Sequence, residues 1–375
     1  MPRKRDEPQV LSPRHRKAFR RAGVSNLLDA GPCDRIGVPV GVAVRPNGRV
    51  ARVFDGKGLT PAAAMIAAGM EAVETALAED PALPVCIASA QELARRALLR
   101  PEQLPALADF SLDPARVTLW CAGGGIVTGA RILAPLELVG LGCRVPAHRR
   151  LGLPGNSNGL AAAATPSEAM LAAVLEAIER DQLARWLDRA ESTAGRVRFV
   201  CRHHDQQLDE VIRRCRIAKL LPVLWRIDDD LGVPSALCQL FDLGADRHQP
   251  WAMTSGSAAH PQAVVAARQA ILEAIQVRVA MRLRRPIDWP LPRSRTARRE
   301  MILRELEMAV KAPSAHPVRD AVGMKDKRPK AILNTLVHRI MRRRGVEPVG
   351  FRLSAGDSFP AVVRVIVPGF RDAYL

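Results

Sequence analysis

Three stretches of this 375-residue chain read as long helices built mainly of Ala, Leu, Ile, Val and Met, yet carry acidic groups within the apolar run. Helices this apolar must pack against other elements, so the chain needs a layered core that accommodates those charges. The first helix starts at a Thr60 cap with Pro61 at its first position and runs to about Ala78. Its Glu71 and Glu74 are spaced i, i+3 and share one face. The second starts at Thr165, runs to about Asp188, and repeats the spacing with Glu176 and Glu179, followed by Arg180 and Asp181. The third, Pro261 to Arg284, sets Glu273, Gln276 and Arg278 in an apolar surround.

Like charges three residues apart repel by a few tenths of a kcal/mol. Carboxylates converging from packed helices are what a hard divalent cation requires, with positions left for water and phosphate. Magnesium held in that way presents the phosphates of a nucleotide. Each pair taken singly fits the solvated edge of an amphipathic helix better than a metal site. Glu168 fits a purely structural role, because Thr165-Pro-Ser-Glu168 has the spacing of a capping box.

Between these helices the chain reads as a mixture of strands and irregular segments. Residues 36–55 form a hairpin, with two β-rich runs flanking Pro46-Asn47-Gly48. Residues 84–100 read as a strand plus a helix, and Val117–Cys121 and Ala130–Val139 as strands turning at Gly123-Gly124-Gly125. Residues 144–159 are a Gly/Pro/Asn-rich loop. Val197–Val200, Pro222–Asp228, Ser235–Phe241 and Ala361–Val367 read as strands, and 209–218 and 331–344 as helices. Residues 286–330 are rich in Pro and Arg and read as partly irregular. This order lacks the regular alternation of a doubly wound sheet and points to an α+β (mixed α/β) fold.

Other short patterns carry less chemistry. Gly56-Lys57-Gly58 ahead of a helix can cradle a phosphate, but it lacks the spacing of a P-loop and also reads as a turn with a Lys. Gly123-Gly124-Gly125 has no dinucleotide-binding register. Adjacent His203 and His204 beside Cys201 point to opposite faces of a strand and do not form a metal cluster. No G-x-S-x-G elbow exists.

The net charge of +18 is concentrated in two segments. Residues 1–22 hold eight Lys/Arg against Asp6 and Glu7, and residues 282–344 hold eighteen against six acids. Such segments are either solvated surface or docking sites for polyanions. Aromatics are only 4%, which argues against a stacking platform for single-stranded nucleic acid. No run approaches the roughly 20 apolar residues of a membrane helix, and no apolar h-region follows the basic N-terminus. The seven cysteines are odd in number and unpatterned, which fits reduced thiols in a cytoplasm.

Four ordered stretches resemble the YcaO family, whose members use ATP to act on peptide backbone amides. The first is Leu28-Asp29 with Asp34-Arg35-Ile36-Gly37-Val38-Pro39-Val40 and Arg45-Pro46. The second is Gly56-Lys57-Gly58 with Met70-Glu71-Ala72-Val73-Glu74. The third is Ser157-Asn158-Gly159-Leu160 with Glu168-Ala169 and Glu176-Ala177-Ile178-Glu179-Arg180-Asp181. The fourth is Glu273-Ala274-Ile275-Gln276-Val277-Arg278 with Arg284-Arg285-Pro286-Ile287-Asp288. Val363 to Gly369 is similar to the family's closing strand.

The resemblance implies a YcaO-type fold with mixed sheets packed by helices around a nucleotide site. It implies a basic arm over residues 1–27 and one domain over 28–375, divided into an N-terminal part to 150, a central nucleotide part over 151–285 and a basic C-terminal part. It implies ATP and Mg2+ as cofactors, with the metal held by Glu71, Glu74, Glu176 and Glu179. Lys57, Asn158, Glu168, Arg180, Gln276 and Arg278 are then nucleotide contacts, and Arg180, Glu273 and Gln276 the catalytic group. In the implied reaction a nucleophile adds to an amide carbonyl, the oxyanion takes the γ-phosphoryl group, and phosphate leaves with the amide oxygen. An external sulfur donor yields a thioamide; a Cys, Ser or Thr side chain yields an azoline.

Two departures bear on this. Ala67 stands where the family usually has Ser, and Ala164 where it has Asn. The C-terminal segment lacks the Pro-x-Pro-x-Pro pattern of many azoline-forming members, which favours thioamide formation with a TfuA-like or sulfur-donor partner. The alternatives are an azoline-forming cyclodehydratase and a non-catalytic accessory protein for a ribosomal-protein methylthiotransferase. The relatives imply a homodimer and a peptide or protein substrate, while the short apolar runs and the low aromatic content argue against a role at a membrane or on nucleic acid.

Overall fold

The computed structural model describes residues 11–189, 196–201, 204–284, 295–312, 317–322, 324, 328–356 and 358–372. The strands are β1 (Asn26–Asp29), β2 (Val40–Val44), β3 (Val53–Lys57), β4 (Val85–Ser89), β5 (Val117–Gly125), β6 (Arg131–Pro135), β7 (Leu160–Ala163), β8 (Leu220–Arg226), β9 (Ser235–Asp242), β10 (Met253–Ala259), β11 (Val349–Arg352) and β12 (Ala361–Ile366). The helices are α1 (Pro13–Arg21), α2 (Pro61–Glu79), α3 (Leu136–Val139), α4 (Pro166–Arg189), α5 (Gln206–Ile217), α6 (Ala263–Arg284), α7 (Arg295–Lys311) and α8 (Pro329–Arg344). Three antiparallel sheets result. One runs β1-β2-β3, another β10-β9-β8, and the largest β4-β5-β11-β12-β7 with β6 also on β5.

Small residues bring helices and sheets together at backbone distance. A Cβ on Gly56 of β3 would lie 2.1 Å from the Ala68 nitrogen of α2, and one on Gly256 of β10 would lie 2.4 Å from the Ala274 nitrogen of α6. The facing helix surfaces are Ala64, Ala68 and Ala72 on α2 and Ala266, Ala270 and Ala274 on α6, all fully buried. Close approach leaves the longer side chains of the same helices to project beyond the sheet edges. Helix α4 packs Ala169, Ala173, Val174 and Ile178 with Val363 and Val365 of β12, in a core shared with α8. Each fully buried Val or Ile there contributes about 1.5–3 kcal/mol.

The hairpin around Pro46-Asn47-Gly48 forms as β2 and β3, with Val44 opposite Val53. Both threonine caps form: Thr60 Oγ1 accepts from the Ala63 amide at 3.2 Å, and Thr165 Oγ1 accepts from the Glu168 amide at 3.3 Å. Four expectations are corrected. Gly123-Gly124-Gly125 lies inside β5 rather than at its turn, and the Phe351 ring fills the space over Gly123. The helix expected within 84–100 is only a capped turn at Ser89–Glu92. The chain there must bring Leu98 and Leu99 down onto Leu133. Val197–Val200 makes a single bridge, Arg198 to Trp225, rather than a strand. The Pro/Arg-rich segment contains a full helix, α7, because Ile302 and Ala309 bury against Trp186 and Trp225 and Glu305 is held by Arg196 and Gln239. Residues 1–10, His203 and the 285–288 end of the fourth stretch lie outside the described residues.

All seven cysteines are free thiols. Among the described residues no helix is long and apolar enough to cross a membrane.

Candidate active site

The acidic face of each long helix turns into one shared cleft. Glu71 and Glu74 enter from α2, Glu176, Glu179 and Arg180 from α4, and Glu273 and Gln276 from α6. Lys57, the last residue of β3, forms an ion pair with Glu273. Gln276 Nε2 donates to the Asp55 carbonyl at 3.2 Å, which holds α6 against the same strand. Arg180 bridges its own helix neighbours, with Nε 3.8 Å from Glu176 and Nη2 3.8 Å from Glu179. Ser257 of β10 donates its hydroxyl to Glu179 at 2.6 Å.

The charges in this cleft do not balance. Glu71 keeps contact with solvent, yet the surrounding protein desolvates it, and Asp55, Glu273 and Glu176 add repulsion that Lys57 only partly offsets; its carboxyl is pushed up to about 8. Glu176 is pushed up to about 7 by desolvation and by Glu179 and Glu273, against the pull of Arg180 and Arg364. Glu74 is held well above the usual carboxylate range by desolvation, Glu176 and Glu71. Burial raises Glu179 as well, with Arg180 and the Ser257 hydroxyl opposing. Lys57 is the counterpart: burial alone would lower it, but Glu273, Glu179 and Glu71 hold it above its ordinary value. Five glutamates thus face three cations, Lys57, Arg180 and Arg364.

Among the described residues no three acidic, thiol or imidazole groups are drawn into a tight ligand set. Uncompensated like charges stay apart. The donors are all carboxylate oxygens, and the surplus is negative, so the cleft fits a hard divalent cation in donor chemistry and in charge.

Three sequence-predicted residues behave differently. Glu168 closes the capping box at the start of α4, its Oε2 accepting from the Thr165 amide and hydroxyl, both at 3.0 Å. It stands about 12 Å along the helix axis from Glu176. Asn158 lines a neighbouring cavity of about 240 Å³ and donates its amide to Asp372 at 2.9 Å. Arg278 leaves the cleft altogether. Its side chain is fully buried, with Nε on Asp34 at 3.0 Å, Nη1 on the Trp251 carbonyl at 2.9 Å and Nη2 at 2.8 Å from Asp242. The cause is helical geometry: residues i and i+2 do not face each other, so Gln276 and Arg278 cannot share one cleft.

Arg364 was missed. It lies inside β12, is 5% exposed, donates to the Asn156 carbonyl and side chain at 2.8 and 2.7 Å, and lowers both Glu74 and Glu176. A lone Arg within the run Val362-Val363-Arg364-Val365-Ile366 was the available signal. Ser257 had none, because its strand is a run of small residues.

Comparison with known proteins identifies the family and the fold. The family model "YcaO cyclodehydratase, ATP- and Mg2+-binding" matches residues 55–371. An uncharacterised protein in the tfuA 3′ region of Rhizobium leguminosarum bv. trifolii is 32% identical over 265 residues, covering 69% of this chain and 61% of that protein. Among solved structures, YcaO from Methanopyrus kandleri bound with AMPPCP and Mg2+ has a TM-score of 0.70 at 23% identity, covering 95% of this chain and 88% of its own. A heterocyclase in complex with substrate and cofactor has a TM-score of 0.74 at 18% identity, covering 99% of this chain and 55% of its own. The E. coli microcin synthetase McbBCD complex with pro-MccB17 bound gives 0.63 at 9% identity, covering 92% of this chain and 88% of the matched chain. This chain thus spans about three fifths of the curated relative and little more than half of the heterocyclase. The match across 55–371 includes every residue of the acidic cleft, and the chain belongs to the YcaO family.

Proposed function

We propose that this protein activates peptide backbone amides with ATP and Mg2+, and that its product is a thioamide on a ribosomally made peptide or protein. The observation that carries the proposal is the surplus of carboxylates over cations in the cleft, where desolvation and neighbouring carboxylates push Glu71 and Glu176 up to about 8 and 7. In this reading Glu71, Glu74, Glu176 and Glu179 hold magnesium. The bound metal and nucleotide supply a phosphoryl group that turns the amide oxygen into a leaving group. Lys57 would exchange Glu273 for phosphate oxygens, and Arg180, at the mouth of the glutamate pairs, would neutralise charge that develops on the transferring group. Freed from Lys57, Glu273 becomes able to accept a proton within reach of Gln276.

The thioamide reading is supported by the relative in the tfuA 3′ region, which favours a TfuA-like or sulfur-delivering partner. The basic segments 1–22 and 282–344 would dock an acidic leader peptide or that partner. Azoline formation is the second reading, favoured by the family's description as a cyclodehydratase. A third, accessory role is favoured by Ala67, which sits one turn before Glu71 on the face that carries the carboxylates and has no hydroxyl to offer.

Calorimetric titration of Mg·ATP into the wild type and a Glu176→Gln/Glu179→Gln variant tests the site. Magnesium-dependent binding that the variant loses is expected. No binding to the folded wild type would move the reading to the accessory protein. Mass spectrometry of the modified peptide then separates the chemistries: sulfur replacing oxygen means a thioamide, and loss of water means an azoline.

A further inference from the structure

Helix α6 has a second buried charged group, on the side away from the cleft. Arg278 meets Asp34, Asp242 and the Trp251 carbonyl. Asp242, the last residue of β9, also accepts from Arg35 Nη2 at 2.5 Å and from the Gly244 amide at 3.0 Å. Arg35 continues to the Ala218 carbonyl at the end of α5, 2.7 Å away. Asp34 uses its other oxygen on the Ile36 amide at 3.1 Å, on the approach to β2. Arg282, one turn further along α6, also stands 3.4 Å from Asp34, so five charged side chains from three remote parts of the chain close one knot in which both carboxylates are compensated. Burial alone would raise Asp242, yet Arg35, Arg278 and the Gly244 amide hold it below the usual carboxylate range.

This knot sits where the cleft is assembled. The strand pair β2–β3 carries Lys57, and α6 carries Glu273 and Gln276. At the cleft these elements are joined by Lys57 with Glu273 and by Gln276 with the Asp55 carbonyl, beside a shared apolar core of Val40 and Val42 with Ala270 and Ile271. Arg278 ties the same helix to the segment leading into β2 and to the end of β9. A planar guanidinium reaching two carboxylates and a carbonyl fixes rotation about the helix axis as well as distance.

The geometry points to Arg278 as a positioning residue: with Asp34, Asp242 and Arg35 it sets the rotation of α6 that aims Glu273 and Gln276 at Lys57 and the nucleotide. It touches no ligand itself. This rests on the reading of the cleft as a nucleotide site, and it gives Asp34 and Arg35 of the opening stretch a place in that site's construction.

The test compares Arg278→Lys and Asp34→Asn, singly and together. Calorimetry measures Mg·ATP and Mg·ADP binding, and hydrogen-exchange mass spectrometry follows α6 and the β2–β3 hairpin without ligand. A positioning role predicts that each single variant weakens ATP and ADP by the same factor, about tenfold to hundredfold, and that the double variant is no worse than the weaker single. Exchange should rise in both α6 and the hairpin. A direct phosphate contact predicts the opposite pattern: Arg278→Lys weakens ATP more than ADP, and Asp34→Asn, which removes a negative charge, leaves binding unchanged or tighter. That pattern, or exchange unchanged in the hairpin, overturns the proposal. If the wild type binds no nucleotide, the reading of the cleft fails, and the exchange measurement alone still decides whether the knot holds α6 to the hairpin.

Discussion

Helix α6 carries two buried polar groups that obey opposite arithmetic. Around Arg278 each carboxylate has at least one cation against it, and Asp242 stays ionised below the usual range. Around Glu273, five residues back along the helix and facing another way, five glutamates share three cations, and Glu71, Glu74 and Glu176 are held above the usual carboxylate range. A balanced buried cluster is a structural joint; an unbalanced one is a site waiting for a ligand of opposite sign.

The largest effect should come from removing the imbalance. Glu176→Gln/Glu179→Gln is expected to weaken magnesium-dependent ATP binding by a hundredfold or more, on the order of the loss seen when a metal site is dismantled, as read by calorimetry. The same variant should melt no lower than the wild type without metal, since it relieves repulsion. A lower melting temperature would show that the cleft is a structural joint too.

Breaking the balanced end should do the reverse. Arg278→Gln leaves buried carboxylates short of a partner and is expected to destabilise by about 3 kcal/mol, measured by denaturant titration. A loss under 1 kcal/mol would mean that Arg35 and Arg282 suffice for Asp242 and Asp34.

The pH response follows from the raised carboxyls. Glu71 and Glu176 hold protons in the folded chain up to about pH 8 and 7, whereas the unfolded chain releases them near the usual carboxylate range. The native state therefore binds more protons over that window, and stability falls as pH rises through it. Metal-free protein should melt at a progressively lower temperature from about pH 5 to 8, and added Mg2+ should flatten the slope. A flat metal-free profile would remove the argument for uncompensated charge.

Smaller effects sharpen the picture. Glu74→Gln should raise metal-free stability by on the order of 1 kcal/mol in thermal unfolding. Thr165→Ala should cost about 1 kcal/mol by uncapping α4 and leave Glu176 and Glu179 in place.

Much of this was legible before the structure. The proline and threonine at the start of α2, the capping box of α4 and the Asn-Gly hairpin are local signals, and each formed. The i, i+3 carboxylate pairs were legible as faces. What was lost shares one cause: a decision taken by distant residues. Helix α7 was hidden by its Arg-rich composition, because Trp186 and Trp225 supply the burial that its own sequence does not announce. Strand β10 was hidden because its small residues lack β propensity; they are there so that α6 can approach. Arg278 was placed with the nucleotide by resemblance, although its spacing from Gln276 already put the two on different faces.

The chain by itself determined which residues share a helix face, since 3.6 residues per turn requires nothing beyond the helix. It also determined where helices begin, through caps that act within four residues. Only the tertiary structure decided which of those faces meet and how their charges balance. Electrostatic energy depends on distances between groups such as Lys57 and Glu273 or Asp34 and Arg278, more than two hundred residues apart in sequence.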